Sequence, residues 1–155
     1  MSEEEWNPPD WINRDPNQPA DDTIFEILTR AIFMAGLSWD IVERKWPNFV
    51  LAFDNFSIEQ VAQYDDEDLG RLIEDKGIIR NQQKIEATIH NAQEFLKIKQ
   101  EYGSFHSFLD SLDKSENYSK VKKNFGKRFK RVGNKTANIF LYCIGEIKKK
   151  SNDMK

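Results

Sequence analysis

Apolar residues recur at intervals of three and four along most of the chain after residue 20, and this spacing is what most restricts the fold. It is clearest in the stripe formed by Ile24, Ile27, Leu28, Ala31 and Ile32. Such spacing puts apolar side chains on one face of an α-helix, whereas a half-buried strand alternates apolar and polar residues. No stretch alternates convincingly with period two. For a chain of 155 residues, the pattern predicts a single all-α domain.

Capping residues, glycines and one proline predict where the helices begin and end. The first predicted helix runs from Asp21 or Asp22 to about Leu37, and a second starts at about Ser38 with a break or bend near Pro47. The later predicted helices are a short one opened by a capping box at Ser57–Gln60, one from Asp65 or Asp66 to a cap at Gly77, a long one over about 81–102 that ends at Gly103, a short one capped by Ser104, and a last one from near Asn134.

The first twenty residues differ in composition from the rest. They contain four of the five prolines, which disfavour helix at their own positions and at the preceding residues. We expect residues 1–20 to form an extended arm that docks through Trp6 and Trp11. The helical domain then covers 21–150, and 151–155 form a short tail.

Charge is distributed unevenly between the two halves. Residues 1–78 carry 18 acids and 6 bases, a net charge of −12, whereas residues 79–155 carry 8 acids and 17 bases, a net charge of +9. This asymmetry predicts an anionic partner for the second half, with nucleic acid and membrane as the usual candidates. The longest uncharged run, from Thr136 to Gly145, is too short to span a bilayer.

The single cysteine, Cys143, excludes an intrachain disulfide and any zinc site with more than one thiolate. A reducing compartment is therefore expected. We predict a cytoplasmic monomer, associated with the nucleoid if the source is prokaryotic.

A basic run from Lys120 to Lys135 contains the strongest local motif of the sequence, a glycine at a predicted helix start. It holds eight bases and no acid: Lys120, Lys122, Lys123, Lys127, Arg128, Lys130, Arg131 and Lys135. Near its end, Gly133 directly precedes a predicted helix, whose first N–H groups and dipole attract anions, and glycine lets a phosphate approach them. The alternatives are a solvated basic face and an ordinary turn in which glycine only solves a backbone problem. The flanking bases favour phosphate binding.

Two motifs in the chain resemble known DNA glycosylases. The run Val132-Gly133-Asn134-Lys135-Thr136-Ala137-Asn138 resembles the second half of the helix-hairpin-helix motif of the endonuclease III type, which grips the DNA backbone without reading sequence. A longer resemblance, over about residues 19–145, is to the DNA-3-methyladenine glycosylase I (Tag) family. Ala35-Gly36-Leu37-Ser38-Trp39, preceded by Phe25-Glu26, is similar to its signature, and the similarity continues through residues 75–81 and Asn91-Ala92.

This resemblance implies a compact helical domain of the helix-hairpin-helix glycosylase type that removes N3-methyladenine from double-stranded DNA. It maps the tryptophan that stacks on the flipped base onto Trp39, and the leucine that fills the gap in the duplex onto Leu37. The DNA backbone would be held by the hairpin residues Lys130, Arg131, Val132, Gly133, Asn134 and Lys135, with Arg80 and Lys84.

The chain departs from the family pattern at three places. The family glutamate that contacts the methylated base corresponds to Ala31, so the catalytic acid is unknown. The family zinc is held by two cysteines and two histidines near the termini, but Cys143, His90 and His106 do not lie at those positions. We therefore expect no cofactor and no metal. The aspartate that many glycosylases of the wider superfamily place soon after the hairpin helix is also missing, since Glu146 is predicted to lie within that helix.

Three functional hypotheses follow. The first is a monofunctional glycosylase that hydrolyses the N-glycosidic bond of alkylated purines after base flipping. The second is a non-catalytic helix-hairpin-helix module that binds DNA and has lost the chemistry with the glutamate. The third, an unrelated helical scaffold that binds an acidic protein, requires both motif matches to be accidental.

Overall fold

Eight α-helices and one 3₁₀ turn build residues 20–147, the part of the chain that the computed structural model describes. The helices are α1 (Ala20–Met34), α2 (Trp39–Ala52), α3 (Ile58–Val61), α4 (Asp66–Glu74), α5 (Gln82–Tyr102), α6 (Phe105–Asp110), α7 (Ser115–Arg128) and α8 (Asn134–Cys143), and the 3₁₀ turn spans Asp54–Phe56. No strand occurs between residues 20 and 147, so the all-α prediction is confirmed. The predicted arm before Ala20, with Trp6 and Trp11, and the tail at 151–155 lie outside the described residues.

Several predicted helix starts are stabilised by side-chain caps. The side chains of Ser57, Asp65, Asn81 and Ser104 each accept a hydrogen bond from the backbone N–H three residues later, at 3.1 to 3.3 Å. These bonds satisfy N–H groups that have no partner within the first turn of a helix. The helix boundaries that were predicted from capping residues therefore have a local physical cause.

Three predicted boundaries are wrong. The helix α8 ends at Cys143 with Ile144 as its C-cap, so Glu146 lies after this helix and not within it. Pro47 does not break α2, which continues to Ala52 because the neighbouring Trp46 and Phe49 are both buried in the core. Gly77 does not cap α4, whose C-cap is Asp75. Gly77 instead allows two segments to approach closely: its carbonyl accepts a hydrogen bond from Asn48, and a Cβ there would lie 3.2 Å from the Asn48 side chain.

The helix α7 was not predicted. Its sequence is rich in lysine and contains Gly126, and only Val121 and Phe125 are buried along it. A sparse apolar stripe of this kind gives a weak periodic signal, and the helix is stabilised by packing against α8.

The core is built on aromatic rings. All eleven phenylalanines of the sequence are buried. One group lies around α1 and α2, where Trp46 stacks on Phe49 at 4.8 Å between ring centroids, and a second group lies around α5 to α8. Phe25 on α1 and Phe95 on α5, with centroids 5.6 Å apart, join the two groups. The helices α1 and α5 therefore form the rigid centre to which the site elements are attached.

Within residues 20–147, no helix has both the length and the apolar character needed to cross a membrane.

Candidate functional site

The turn between α1 and α2 carries Leu37, and Trp39 follows it at the start of α2. Gly36 has a φ of +77°, a conformation that favours glycine, and the chain reverses there. Leu37 follows and is 41% exposed, one of the few large apolar side chains in solvent. Trp39, the first residue of α2, is half-buried and packs against the core. The segment thus carries an exposed apolar side chain and a half-buried indole ring.

Trp39 contacts a small apolar cluster that joins α1 to α8. Its buried members are Ala31 and Ile139, and the half-buried residues packed against them are Trp39, Tyr142, Cys143 and Ile147. We call this set the Ala31 cluster. The structure therefore brings together Ala31 and Trp39, which the sequence analysis assigned to one base-binding site, and it adds residues of α8 that the sequence analysis did not identify.

The nearest buried acid on α1 faces away from this cluster. Glu26 precedes Ala31 by five residues, which places the two side chains about 140° apart around a helix of 3.6 residues per turn. Oε2 of Glu26 accepts a hydrogen bond from Nε1 of Trp46 at 2.9 Å. Asp40, next to Trp39, is exposed. Neither carboxylate stands where the family resemblance places the missing glutamate.

Two titratable groups near the cluster are strongly affected by burial. Arg30 is fully buried, its guanidinium carbon lies 5.1 Å from the Trp46 ring centroid, and burial lowers its pKa to about 10. Burial raises the pKa of the Cys143 thiol to about 12, so it stays neutral at physiological pH. The side of Trp39 that packs on the Ala31 cluster is therefore lined by apolar and neutral side chains, with the Arg30 guanidinium close enough to Cys143 to interact with it electrostatically.

The predicted phosphate site lies at the connection between α7 and α8. Gly133 is the N-cap of α8, with no side-chain cap, and its φ of −82° and ψ of −175° are open to any residue. No atom lies within 4 Å of the position that a Cβ would occupy. Glycine is thus not required by the backbone here, and the space in front of the helix N-terminus is open. Both observations favour close approach of a ligand over a purely conformational role.

Basic side chains surround this helix start. Lys130, Arg131, Asn134 and Lys135 are exposed, whereas Val132 is buried and anchors the connection. Lys122 and Lys123 of α7 line one groove with Gly133 and Asn134. The structure therefore gathers the lysines of α7 and the predicted hairpin on the same surface.

The helix α5 holds the hairpin in place. The buried Asn91 side chain makes two hydrogen bonds with the backbone of Lys130: it accepts from the N–H at 2.8 Å and donates to the carbonyl at 3.2 Å. Arg131 donates to Oε1 of Gln83 at 3.2 Å. Asn91 belonged to the family resemblance but had no assigned role. The available signal was an asparagine next to Ala92 and one helical turn before Phe95, on the face of α5 that packs into the core.

The two bases predicted upstream of the hairpin differ in placement. Arg80 is exposed just before α5. Lys84 is only 4% exposed, and its ammonium group donates to backbone carbonyls of the α1–α2 turn. That placement does not suit the direct backbone contact with DNA predicted for Lys84.

The cysteine and the two histidines of the chain do not lie together. Nε2 of His90 lies 3.2 Å from the carbonyl of Arg128, Cys143 belongs to the Ala31 cluster, and His106 is exposed on α6. Between residues 20 and 147 there is no group of three or more His, Cys, Asp or Glu side chains placed to hold a metal ion. These residues do not fit the family zinc.

Comparison with known proteins links this geometry to one family. The family model for methyladenine glycosylase matches residues 10–139. DNA-3-methyladenine glycosylase 1 of Escherichia coli (strain K12) is 34% identical over 114 residues, covering 66% of this chain and 61% of that protein. The DNA-3-methyladenine glycosylase of Haemophilus influenzae (strain ATCC 51907 / DSM 11121 / KW20 / Rd) is 26% identical over 110 residues, covering 71% of this chain and 55% of that protein. The chain thus spans less than two thirds of these two relatives.

One solved structure is similar to this chain over a larger share of both chains. It is that of 3-methyladenine DNA glycosylase I from Staphylococcus aureus, described as the structural basis of 3-methyladenine recognition. It is 28% identical, covers 85% of each chain and has a TM-score of 0.73.

Proposed function

Because this chain belongs to the methyladenine glycosylase family, we propose that it is a DNA glycosylase that hydrolyses the N-glycosidic bond of alkylated purines after base flipping. Its substrate class is 3-methyladenine-like bases in double-stranded DNA. It acts as a monomer, in the cytoplasm and at the nucleoid if the source is prokaryotic.

The observation that carries the proposal is the contrast between Leu37 and Trp39, which both follow Gly36: the leucine side chain is exposed, whereas the indole packs against the Ala31 cluster. A base-flipping enzyme needs an apolar wedge that replaces the extruded base in the stack and a separate surface that receives the base. Leu37 is suited to the first task because its side chain lies in solvent. Trp39 is suited to the second because its ring packs at the edge of the apolar Ala31 cluster.

The hairpin supplies the grip on the backbone. The open N-terminus of α8 at Gly133 and the exposed Lys130, Arg131 and Lys135 favour phosphate binding without base readout. Arg80, exposed before α5, adds a further positive charge in the same half of the chain.

The reaction requires little chemical activation by the protein. Alkylation at N3 makes the purine cationic, so the bond from C1′ to N9 is already weakened. When that bond breaks, its electron pair moves into the ring and the base leaves neutral, while water adds to C1′ and loses a proton. Trp39 offers an aromatic face to the cationic ring, an interaction of roughly 2 kcal/mol when desolvated. Positioning and water exclusion by the Ala31 cluster then act on the reacting bond.

The test is release of methylated bases from alkylated duplex DNA under enzyme excess, with Trp39→Ala and Trp39→Phe as matched variants. Loss of stacking should slow release by Trp39→Ala about tenfold to a hundredfold, because a stacked base contributes roughly 1–3 kcal/mol. Trp39→Phe keeps an aromatic face and should retain most activity. If the native protein binds DNA but releases no base, the chain is a non-catalytic DNA-binding module.

A further inference from the structure

The C-terminus of α1 has no basic residue of its own to interact with the negative end of the helix dipole. The last carbonyl groups of a helix have no partners within it and carry the negative end of the helix dipole. In α1, the carbonyl of Ile32 accepts from the N–H of Ala35, and that of Met34 accepts from the N–H of Leu37. The carbonyls of Phe33 and Ala35 are left for a donor from elsewhere.

That donor is Lys84, in the first turn of α5. Its Nζ lies 2.7 Å from the carbonyl oxygen of Ala35 and 3.4 Å from that of Phe33. The residue is 4% exposed, and its backbone is fixed because its N–H donates to the N-cap Asn81. Burial, and then the neighbouring charge of Arg131, lowers the pKa of Lys84. Hydrogen bonds from a charged donor are stronger than neutral ones, so the turn is held firmly at this point.

The same turn of α5 also contacts the hairpin. Gln83, the residue before Lys84, accepts a hydrogen bond from Arg131. The helix α5 therefore contacts the turn that carries Leu37 and leads to Trp39, and it also contacts the hairpin. The spacing between the wedge and the phosphate grip is set by these two adjacent residues.

We infer that Lys84 is a positioning residue that holds the Ala35–Ser38 turn, so that Leu37 and Trp39 keep the orientation that base flipping requires. This inference rests on the proposed function for its role in catalysis. It assigns the ammonium group to backbone carbonyls of the protein instead of to a DNA phosphate.

The experiment compares Lys84→Met with Lys99→Met. Lys99 lies on the same helix, is half exposed and pairs with Glu59 at 3.9 Å, so its variant removes the same charge roughly 22 Å away at about 1.5 Å per residue. Three quantities are measured: amide hydrogen exchange of residues 35–39 in the free protein, salt dependence of binding to undamaged duplex, and single-turnover base release at saturating enzyme.

We expect Lys84→Met to accelerate exchange of the two hydrogen-bonded amides in this segment, those of Ala35 and Leu37, by about tenfold to a hundredfold, the range for loss of a charged hydrogen bond. Single-turnover release at saturation should slow by a similar factor. Affinity for undamaged duplex and its salt slope should stay unchanged, and Lys99→Met should change none of the three. If Lys84→Met does not fold, Lys84→Gln, which keeps a neutral donor, is measured for the same three effects.

The opposite pattern overturns the inference. A lysine that contacts phosphate would lower the salt slope by about one charge on substitution and leave exchange at residues 35–39 unchanged. Exchange and salt slope need no catalysis, so both decide the role of Lys84 even if the native protein releases no base. Failure of the proposed function is therefore distinguishable from failure of this inference.

Discussion

Replacing Ala31 with glutamate should change catalysis and stability in opposite directions. The Ala31 side chain is 2% exposed and packs against Ile139 beside Trp39. In the free protein, the new carboxylate would be buried among apolar groups, and an unsatisfied buried polar group costs about 1–3 kcal/mol. The Arg30 guanidinium lies over the Trp46 ring and also interacts electrostatically with Cys143, but Arg30 is one position before Ala31 and so lies about 100° away around the helix. We therefore expect Ala31→Glu to unfold at lower urea concentration than the native protein.

A cationic base stacked on Trp39 supplies the partner that the carboxylate lacks. A hydrogen bond between charged groups contributes about 1.5–3 kcal/mol, which corresponds to roughly a tenfold to hundredfold faster step if it is made in the transition state. Release of 3-methyladenine by Ala31→Glu should accelerate by that factor. The gain should be confined to cationic lesions, because a neutral base offers no charge to balance.

The assay is single-turnover release of 3-methyladenine from alkylated duplex, with Ala31→Gln as the matched control. Glutamine has nearly the same shape without the charge, so it should lose stability and gain little rate. The reasoning is refuted if Ala31→Glu folds and binds DNA but releases base no faster than the native protein. Equal rates for the Glu and Gln variants would likewise show that charge at this position does not act on the substrate.

Three further predictions concern the hairpin and the thiol. Lys135→Ala should weaken binding about equally for all DNA sequences and reduce the salt slope by about one charge; an unchanged slope argues against a phosphate contact. Asn91→Leu removes both hydrogen bonds to Lys130 and should lower the free energy of unfolding by about 1–3 kcal/mol, measured by urea denaturation, and weaken DNA binding; full DNA affinity in a folded variant would contradict its role in holding the hairpin. Because the pKa of Cys143 rises from 9.0 to about 12 on folding, its contribution to stability is complete below pH 9 and is lost between pH 9 and 12. Native Cys143 should therefore resist a thiol reagent at pH 8, and Cys143→Ala should flatten the dependence of stability on pH above pH 9. Rapid labelling of the folded protein would rule out a buried thiol with a raised pKa.

Local signals in the sequence predicted most helices because their causes are local. The caps at Ser57, Asp65 and Ser104 act on N–H groups three residues away, and Gly103, at a φ of +85°, ends α5 as expected. The errors arose where distant packing overrides local preference. Pro47 stays inside α2 because its neighbours are buried in the core, and α7 depends on packing against α8.

Some features of the candidate site likewise follow from local sequence, and others arise only from tertiary contacts. The sequence by itself determined the all-α class and the family, and it predicted the hairpin at Gly133 and the roles of Leu37 and Trp39, because these depend on periodicity and on short contiguous motifs. Only the tertiary structure decided that Ala31 and Trp39 meet residues of α8, that Asn91 clamps Lys130, and that Lys84 faces inward. Lys84 and its acceptor Ala35 are 49 positions apart. No periodicity or spacing encodes such a pair, since it exists only once α1 and α5 have packed together and water has been excluded from the ammonium group.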